Sequence, residues 1–213
     1  LVDPASRGRG LGSALLDRGL ATAGARAGRV AVETESLTGP TAALFASRGL
    51  RRVRAEDVLR WELTDDPPAA PALPPGVALL PWPAVPARRF FAVYRAAFRD
   101  RPGFPDWPLE RWVDWTAGDE DFRPDWSLLA VAAAGDVGFV TCARGWIVQV
   151  GVRPGWRGRG LGAALVGEAA RRMRGAGEIE VHLDVDVDNP AGRLYRRLGF
   201  VPLGRRARVE PAD

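Results

Sequence analysis

Two glycine-rich stretches of identical sequence are the first residues in this chain that could do chemistry. RGRGLG occupies residues 7–12 and again residues 157–162, each time after a short apolar segment and before a long one. Glycines there let backbone N–H groups approach an anion, and the start of a helix adds the favourable end of its dipole. The pattern predicts a phosphate-binding turn, with a ligand-free strand-to-helix turn as the alternative. A P-loop is excluded because the chain has no Lys.

A second group of reactive side chains follows the second glycine stretch. In VHLDVDVDN, strand periodicity places His182, Asp184, Asp186 and Asp188 on one face. These carboxylates either line a pocket for an amine or form a solvated or Arg-paired stripe, and the sequence leaves both open. The only histidine, His182, is interpreted as a packed strand residue. Cys142 is interpreted as a small buried hydrophobe.

The hydrophobic pattern predicts alternating helices and strands around these residues. Predicted helices cover 9–25, 41–48, 87–98, 109–116, 160–173 and 190–198. Predicted strands cover 29–35, 58–63, 77–80, 127–134, 137–143, 146–152 and 180–187. The resulting fold class is α/β with a mixed sheet.

The two glycine stretches belong to an internal duplication with an offset of 150 residues. At this offset Pro40 falls on Pro190, Phe45 on Tyr195 and Gly49 on Gly199. The duplication predicts a partial first repeat at 1–63, a Pro-rich linker at 64–76 and a fuller second repeat at 77–213. Nothing in the first repeat matches residues 77–151, so we expect an incomplete first copy, either preceded by more chain or docked on another chain.

Composition excludes several classes of protein. No apolar run approaches the roughly 18 residues that cross a bilayer, and no secretory leader is visible. A single cysteine excludes a disulfide framework and a multi-cysteine metal site. The net charge is +4, but the Arg residues are dispersed among acids. We therefore predict a cytoplasmic protein without metal, nucleic-acid or membrane partners, and leave a homodimer open.

Two ordered motifs carry a family resemblance. Val152-Pro154-Arg157-Gly160-Gly162 resembles the coenzyme A pyrophosphate loop of the GNAT superfamily of N-acetyltransferases. Asn189-Pro190-Ala191 through Leu194-Tyr195 and Leu198-Gly199-Phe200 resembles its second signature. The resemblance covers 77–204 well and 1–63 in part, and it implies a tandem GNAT fold with a splayed central sheet.

The resemblance also implies a cosubstrate, acetyl-CoA, and roles for individual residues. Val150 and Val152 would pair with the pantetheine arm, in a gap opened by splaying at Gly151. Asn189 would bind the pantetheine end, and Tyr195 would protonate the leaving thiolate as the catalytic acid. The pyrophosphate would be wrapped by the backbone of Arg157, Gly158, Arg159, Gly160, Leu161, Gly162 and Ala163.

The predicted activity is transfer of an acetyl group to a primary amine of a small molecule by direct attack, catalysed by the second repeat. The base stays open among Asp186, Asp188 and water, because Gln149 lies near the position of a family Glu and cannot accept a proton. The alternatives are a non-catalytic acyl-CoA-binding sensor and an Arg-rich nucleic-acid binder. The family ends in two strands, so the short tail at 201–213 predicts a weak or truncated last strand.

Overall fold

The computed structural model describes residues 2–24, 30–63, 71–101 and 103–212. Its helices are α1 Leu11–Gly24, α2 Gly39–Ala46, α3 Ala87–Phe98, α4 Leu109–Ala117, α5 Leu161–Gly175 and α6 Gly192–Arg197. Its strands are β1 Val32–Thr34, β2 Leu50–Glu62, β3 Ala78–Pro81, β4 Leu128–Ala132, β5 Gly135–Ala143, β6 Trp146–Val152, β7 Glu180–Asp186 and β8 Val201–Pro211. Residues 64–70 of the predicted linker lie outside the described ranges.

The larger of two compact units contains residues 59–185 and 189–202. Its hydrogen-bonded strand order is β2-β7-β6-β5-β4-β3, antiparallel from β3 to β6 and parallel between β6 and β7. Neighbouring residues of β5 point to opposite faces. Val140 packs with α5 residues such as Leu165 on one face, and Phe139 packs with Phe90 and Trp112 of α3 and α4 on the other. Helices therefore cover both faces of a mixed sheet.

The smaller unit contains residues 1–58, 186–188 and 203–213. Its strand order is β1-β8-β2, and β1 pairs antiparallel with β8 through Val32 and Val209. Phe45, Leu50 and Val209 form its small buried core. Helix α1 has no buried residue, and its Leu15 is 57% exposed.

The local geometry of the two glycine stretches is the same at the 150-residue offset. Gly8 and Gly10 have φ of +78° and +79°, and Gly158 and Gly160 have φ of +74° and +80°. Each stretch follows a single 3-10 turn, Pro4–Ser6 or Pro154–Trp156, and precedes a helix. The duplication seen in the sequence therefore extends to backbone conformation.

Two strand predictions were wrong in length. Strand β2 begins at Leu50 rather than at residue 58, and the tail forms the 11-residue strand β8 rather than a weak or truncated one. The cause is pairing in the smaller unit, where β8 lies between β1 and β2, so both of its edges find hydrogen-bonding partners. A polar, Arg-rich sequence has a weak strand signal of its own, and neighbouring strands override it.

Candidate active site

The second glycine stretch forms an open turn at the start of α5. Gly158 and Gly160 adopt the left-handed conformation that disfavours a side chain, and a Cβ at either would meet nothing within 4 Å. The first intrahelical bond runs from Ala164 N to Gly160 O at 3.0 Å. The N–H groups of Leu161, Gly162 and Ala163 precede it and lack an intrahelical acceptor. This turn has the backbone donors and the free space that an anion requires.

The two arginines of this turn have different surroundings. The Arg157 guanidinium donates to Ala97 O at 2.9 Å and to Val152 O at 3.3 Å, so its side chain ties the turn to the end of α3. The Arg159 guanidinium lies over the Trp156 ring, 4.8 Å from its centroid. Sequence reasoning missed Trp156, because a turn tryptophan has no periodic signal.

A gap opens beside β6. Val150, Gly151 and Val152 pair with β5, but within the described residues the ladder between β6 and β7 consists of one register pair, Trp146 with His182. The edge of β6 facing β7 is therefore unpaired beyond that point, in the stretch predicted to hold the pantetheine arm. A Cβ at Gly151 would lie 2.5 Å from the Phe139 ring, so this glycine is required by packing against its neighbour on β5.

Tyr195 lies on α6 and is 6% exposed. Burial raises the pKa of its hydroxyl to about 12, and the nearby positive charge of Arg101 partly opposes this. Its ring contacts Phe200 at 5.9 Å between centroids. The hydroxyl is therefore neutral at physiological pH and able to donate a proton or a hydrogen bond.

Asn189 holds the turn that leads into α6. Its side-chain oxygen accepts a hydrogen bond from Ala191 N at 3.0 Å, and its carbonyl accepts one from Gly192 N at 3.1 Å. The predicted role at the pantetheine end therefore falls to the side-chain amide N–H₂.

Two buried polar atoms on the neighbouring strands β5 and β6 have no hydrogen-bond partner among the described residues. They are Thr141 Oγ1 and Gln149 Oε1, and the two residues face each other across β5 and β6. Most buried polar groups are paired in a folded protein, so such atoms mark places where a ligand or water completes the bonding.

The corresponding positions of the first repeat lack these groups. Phe45, which is 6% exposed, stands where Tyr195 stands in the second repeat, and Gly39 stands in place of Asn189. The Arg7 guanidinium still donates to Val2 O at 3.3 Å, as Arg157 does to Val152. The first repeat therefore keeps the turn and lacks the hydroxyl and the amide.

A family model described as the acetyltransferase (GNAT) family matches residues 86–200. This chain belongs to the GNAT acetyltransferase family. The match covers the helices α3 and α4, the gap between β6 and β7, the glycine turn and α6, and it confirms the resemblance found in the sequence. The mixed α/β sheet with helices on both faces is the GNAT fold, and acetyltransferases of this family use acetyl-CoA as cosubstrate.

The matches to curated relatives and to solved structures of GNAT proteins cover nearly all of this chain. The mycothiol acetyltransferase of Actinosynnema mirum is 36% identical and covers 93% of this chain and 69% of its own length. That of Thermobispora bispora is 35% identical and covers 94% and 70%. The crystal structure of a GCN5-related N-acetyltransferase from Sphaerobacter thermophilus has a TM-score of 0.78 at 33% identity, covering 100% of this chain and 71% of that one.

A tandem GNAT protein from the clavulanic acid biosynthesis pathway shares the fold, with a TM-score of 0.68 at 24% identity. It covers all of this chain and 74% of its own. A tandem arrangement of GNAT repeats therefore occurs in a protein with the same fold.

The structure also bears on the expectations about membrane spans, metal sites and Cys142. In the described ranges, no helix is both long and apolar enough to cross a membrane. The same ranges contain no group of three or more His, Cys, Asp or Glu placed to hold a metal ion. Cys142 is buried, and burial raises the pKa of its thiol, which makes it unreactive.

Proposed function

We propose that the second repeat transfers an acetyl group from acetyl-CoA to the primary amine of a small molecule by direct attack. The observation that supports this most strongly is the combination of an open glycine turn at the start of α5 with an unpaired edge of β6. Together they offer donors for a pyrophosphate and a strand edge for the amide-containing pantetheine arm, which are the two polar parts of the cosubstrate.

Each part of the cosubstrate has candidate residues in the larger unit. The pyrophosphate takes the backbone N–H groups from Arg157 to Ala163, with the Arg159 guanidinium beside them. The pantetheine arm takes the backbone of 150–152 and the amide of Asn189. The glycine positions fit this assignment, because side chains at Gly158 and Gly160 would extend into the space the phosphates need.

The proposed chemistry uses a backbone N–H of β6 and the Tyr195 hydroxyl. The amine nitrogen attacks the thioester carbon, and a backbone N–H near Val150 stabilises the oxyanion. The carbon–sulfur bond breaks, and the Tyr195 hydroxyl gives its proton to the departing thiolate. The raised pKa of Tyr195 keeps that proton in place until the thiolate forms. No covalent bond to the protein is needed.

We further propose that catalysis belongs to the second repeat alone. Residues 1–63 correspond to the later half of a GNAT domain, residues 64–76 are the linker, and residues 77–213 form the acetyltransferase domain. The absence of a hydroxyl at Phe45 and of an amide at Gly39 supports this. In this scheme the first repeat retains a turn able to bind an anion.

The acceptor is proposed as a small-molecule amine because the relatives are named for mycothiol. The first compound to test is the amine left when the acetyl group of mycothiol is removed. Amino sugars, amino acids and polyamines complete the panel, since the described residues select no one of them.

The decisive experiment measures acetyl-CoA-dependent thiol release across this panel. We expect Tyr195→Phe to retain acetyl-CoA binding and to lower kcat by about 10²-fold or more. This is the usual loss of rate when a general acid is removed, about 10²-fold to 10⁴-fold. Gly160→Glu should abolish acetyl-CoA binding, because it places a carboxylate at the pyrophosphate position and strains a residue with φ of +80°. Binding is measured by isothermal titration.

The duplication supplies matched controls. Gly10→Glu puts the same strain and charge into the first repeat, where φ is +79°, and should leave turnover unchanged. Tight acetyl-CoA binding without turnover on any amine would indicate a non-catalytic acyl-CoA-binding protein instead. Loss of turnover in Gly10→Glu would contradict the assignment of catalysis to the second repeat.

A further inference from the structure

The single register pair between β6 and β7 marks the closed end of the gap. His182 N donates to Gly145 O at 2.8 Å, and Trp146 and His182 are register partners. Beyond this pair the two strands continue without a shared ladder in the described residues. In the proposed function the acyl end of the cosubstrate enters this gap from the glycine turn with its thioester carbonyl near Val150, and the acceptor amine lies between that carbonyl and the closed end.

The His182 side chain lies at this closed end and is largely buried. Its ring packs against the Trp146 ring at a tilt of 30°, with 5.1 Å between centroids. Its side chain is 16% exposed, and Nε2 lies 3.7 Å from Glu180 Oε1. The Glu180 carboxylate is also 3.6 Å from the Arg60 guanidinium of β2. The imidazole therefore has an aromatic ring packed against it, a carboxylate beside it and residual access to solvent.

The face of the sheet that carries His182 also carries the unpartnered polar atoms. Register partners share a face, so Gln149 lies with Thr141, and Trp146 lies with His182. The opposite face packs against α5 and carries two register pairs, Ile147 with Cys142 and Val150 with Val140. His182 therefore lies on the face that points away from α5. His182 thus lies on the same face of the sheet as Thr141 Oγ1 and Gln149 Oε1. A water or substrate would supply the hydrogen bonds that these two atoms lack.

We propose that His182 is the base that takes the proton from the acceptor amine, with Glu180 as its positioning residue. This rests on the proposed function. Imidazole is the side chain suited to accept a proton near neutral pH, and the Glu180 carboxylate lies 3.7 Å from its Nε2. Neighbouring Gln149 is neutral and cannot serve. The Asp186 carboxylate, an earlier candidate for the base, accepts the N–H of Asp188 at 2.9 Å and closes a turn at the strand end.

The proton balance is complete without another reactant. The ammonium form of the acceptor gives one proton to the neutral imidazole, and its nitrogen then forms the bond to the thioester carbon. The carbon–sulfur bond breaks as sulfur takes the Tyr195 proton. The second nitrogen proton returns to the Tyr195 oxygen, and His182 releases its proton to solvent. One ammonium ion and acetyl-CoA thus yield an amide, coenzyme A and one proton.

The charged groups near His182 lie on its own strand and on β2. Glu180 and Asp184 lie on its own strand, and Arg60 reaches Glu180 from β2. On β6 the facing residues, Trp146 and Gln149, are neutral. The Arg144–Asp121 ion pair, at 3.5 Å, precedes β6 and is exposed.

The test combines a pH profile with two nucleophiles. With the primary amine that turns over fastest, His182→Gln should lower kcat/KM by about 10²-fold and remove the acid limb of the profile. With hydroxylamine, which is already neutral at pH 7, the loss should be much smaller because no proton needs to be removed first. Glu180→Gln should lower kcat/KM for the primary amine and leave the hydroxylamine reaction close to that of the wild type, as expected of a residue that positions the base.

One further measurement separates a base from a packing residue. The chain has one histidine, so its imidazole NMR signals need no assignment, and their titration midpoint should match the acid limb of kcat/KM. An acid limb that persists in His182→Gln, or equal losses with both nucleophiles, would overturn the assignment. If the wild type binds acetyl-CoA and acetylates no amine, the proposed function itself fails.

Discussion

At the residue scale, the second repeat differs from the first in a few side chains that carry chemical groups. Tyr195 replaces Phe45 at a site that is buried to the same extent, 6% exposed in both repeats. The hydroxyl is therefore an addition to a packed aromatic position. Burial raises the pKa of this hydroxyl, and the shift predicts that stability depends on pH in the alkaline range.

The Tyr195 hydroxyl should make folding sensitive to alkaline pH. Its pKa is raised from 10.0 to about 12, so the unfolded chain ionises first. Its contribution is fully present below pH 10 and is lost as pH rises to 12, by about 3 kcal/mol. The check is the urea unfolding free energy of wild type and Tyr195→Phe between pH 8 and pH 11.5. Tyr94 and Cys142, whose pKa values are also raised, are present in both proteins and cancel. Parallel pH curves for the two proteins would contradict the burial of this hydroxyl.

At the element scale, the best-predicted elements are those that are stabilised by burial of their own apolar residues. Helix α3 spans 87–98 and β6 spans 146–152, as predicted, because each has strong periodicity and a clear boundary at both ends. Strands β2 and β8 were predicted poorly because their Arg-rich segments depend on each other's backbone. Gly151 shows the same dependence at a single position, because the atoms that leave no room for a side chain there belong to Phe139 of β5 and Ala97 of α3.

Gly151→Ala should destabilise the larger unit by about 1–3 kcal/mol, because the new methyl group overlaps the Phe139 ring at 2.5 Å and Ala97 at 3.1 Å. Gly155→Ala is the matched control, with no atom within 4 Å of its Cβ, and should change stability by less than about 0.5 kcal/mol. Guanidinium unfolding followed by tryptophan fluorescence reports on this unit, since all eight tryptophans lie between residues 61 and 156. Equal stability of the two variants would show that β5 and β6 can separate at this point.

At the whole-molecule scale, the duplicated sequence has two different environments. Leu161 and Leu165 of α5 are 1% and 0% exposed, whereas Leu11 and Leu15 of α1 are 47% and 57% exposed. The helices share a sequence pattern, but α5 packs against β4, β5 and β6 of its own unit. Among residues 2–24 and 30–63, no strands correspond to these three, which is consistent with the proposed partial first repeat.

Leu165→Ala should therefore cost about 2–5 kcal/mol of unfolding free energy, as expected for a leucine removed from a closed core. Leu15→Ala, the same change at the equivalent position of the first repeat, should cost less than about 0.5 kcal/mol. Guanidinium unfolding followed by circular dichroism measures both, because it detects helices of either unit. A comparable loss in Leu15→Ala would mean that α1 is covered in solution.

The sequence by itself determined the duplication, the glycine turns, the order of most elements and the membership in the GNAT family. These follow from local rules: glycine alone tolerates the left-handed turn, and hydrophobic periodicity reports which face is buried. Only the tertiary structure decided that β8 is a full strand, that Gly151 lies on the Phe139 ring, and that β6 leaves β7 after Trp146 and His182. Each of these depends on a contact with a segment that is distant in the chain. Local sequence patterns do not indicate which distant segment makes that contact.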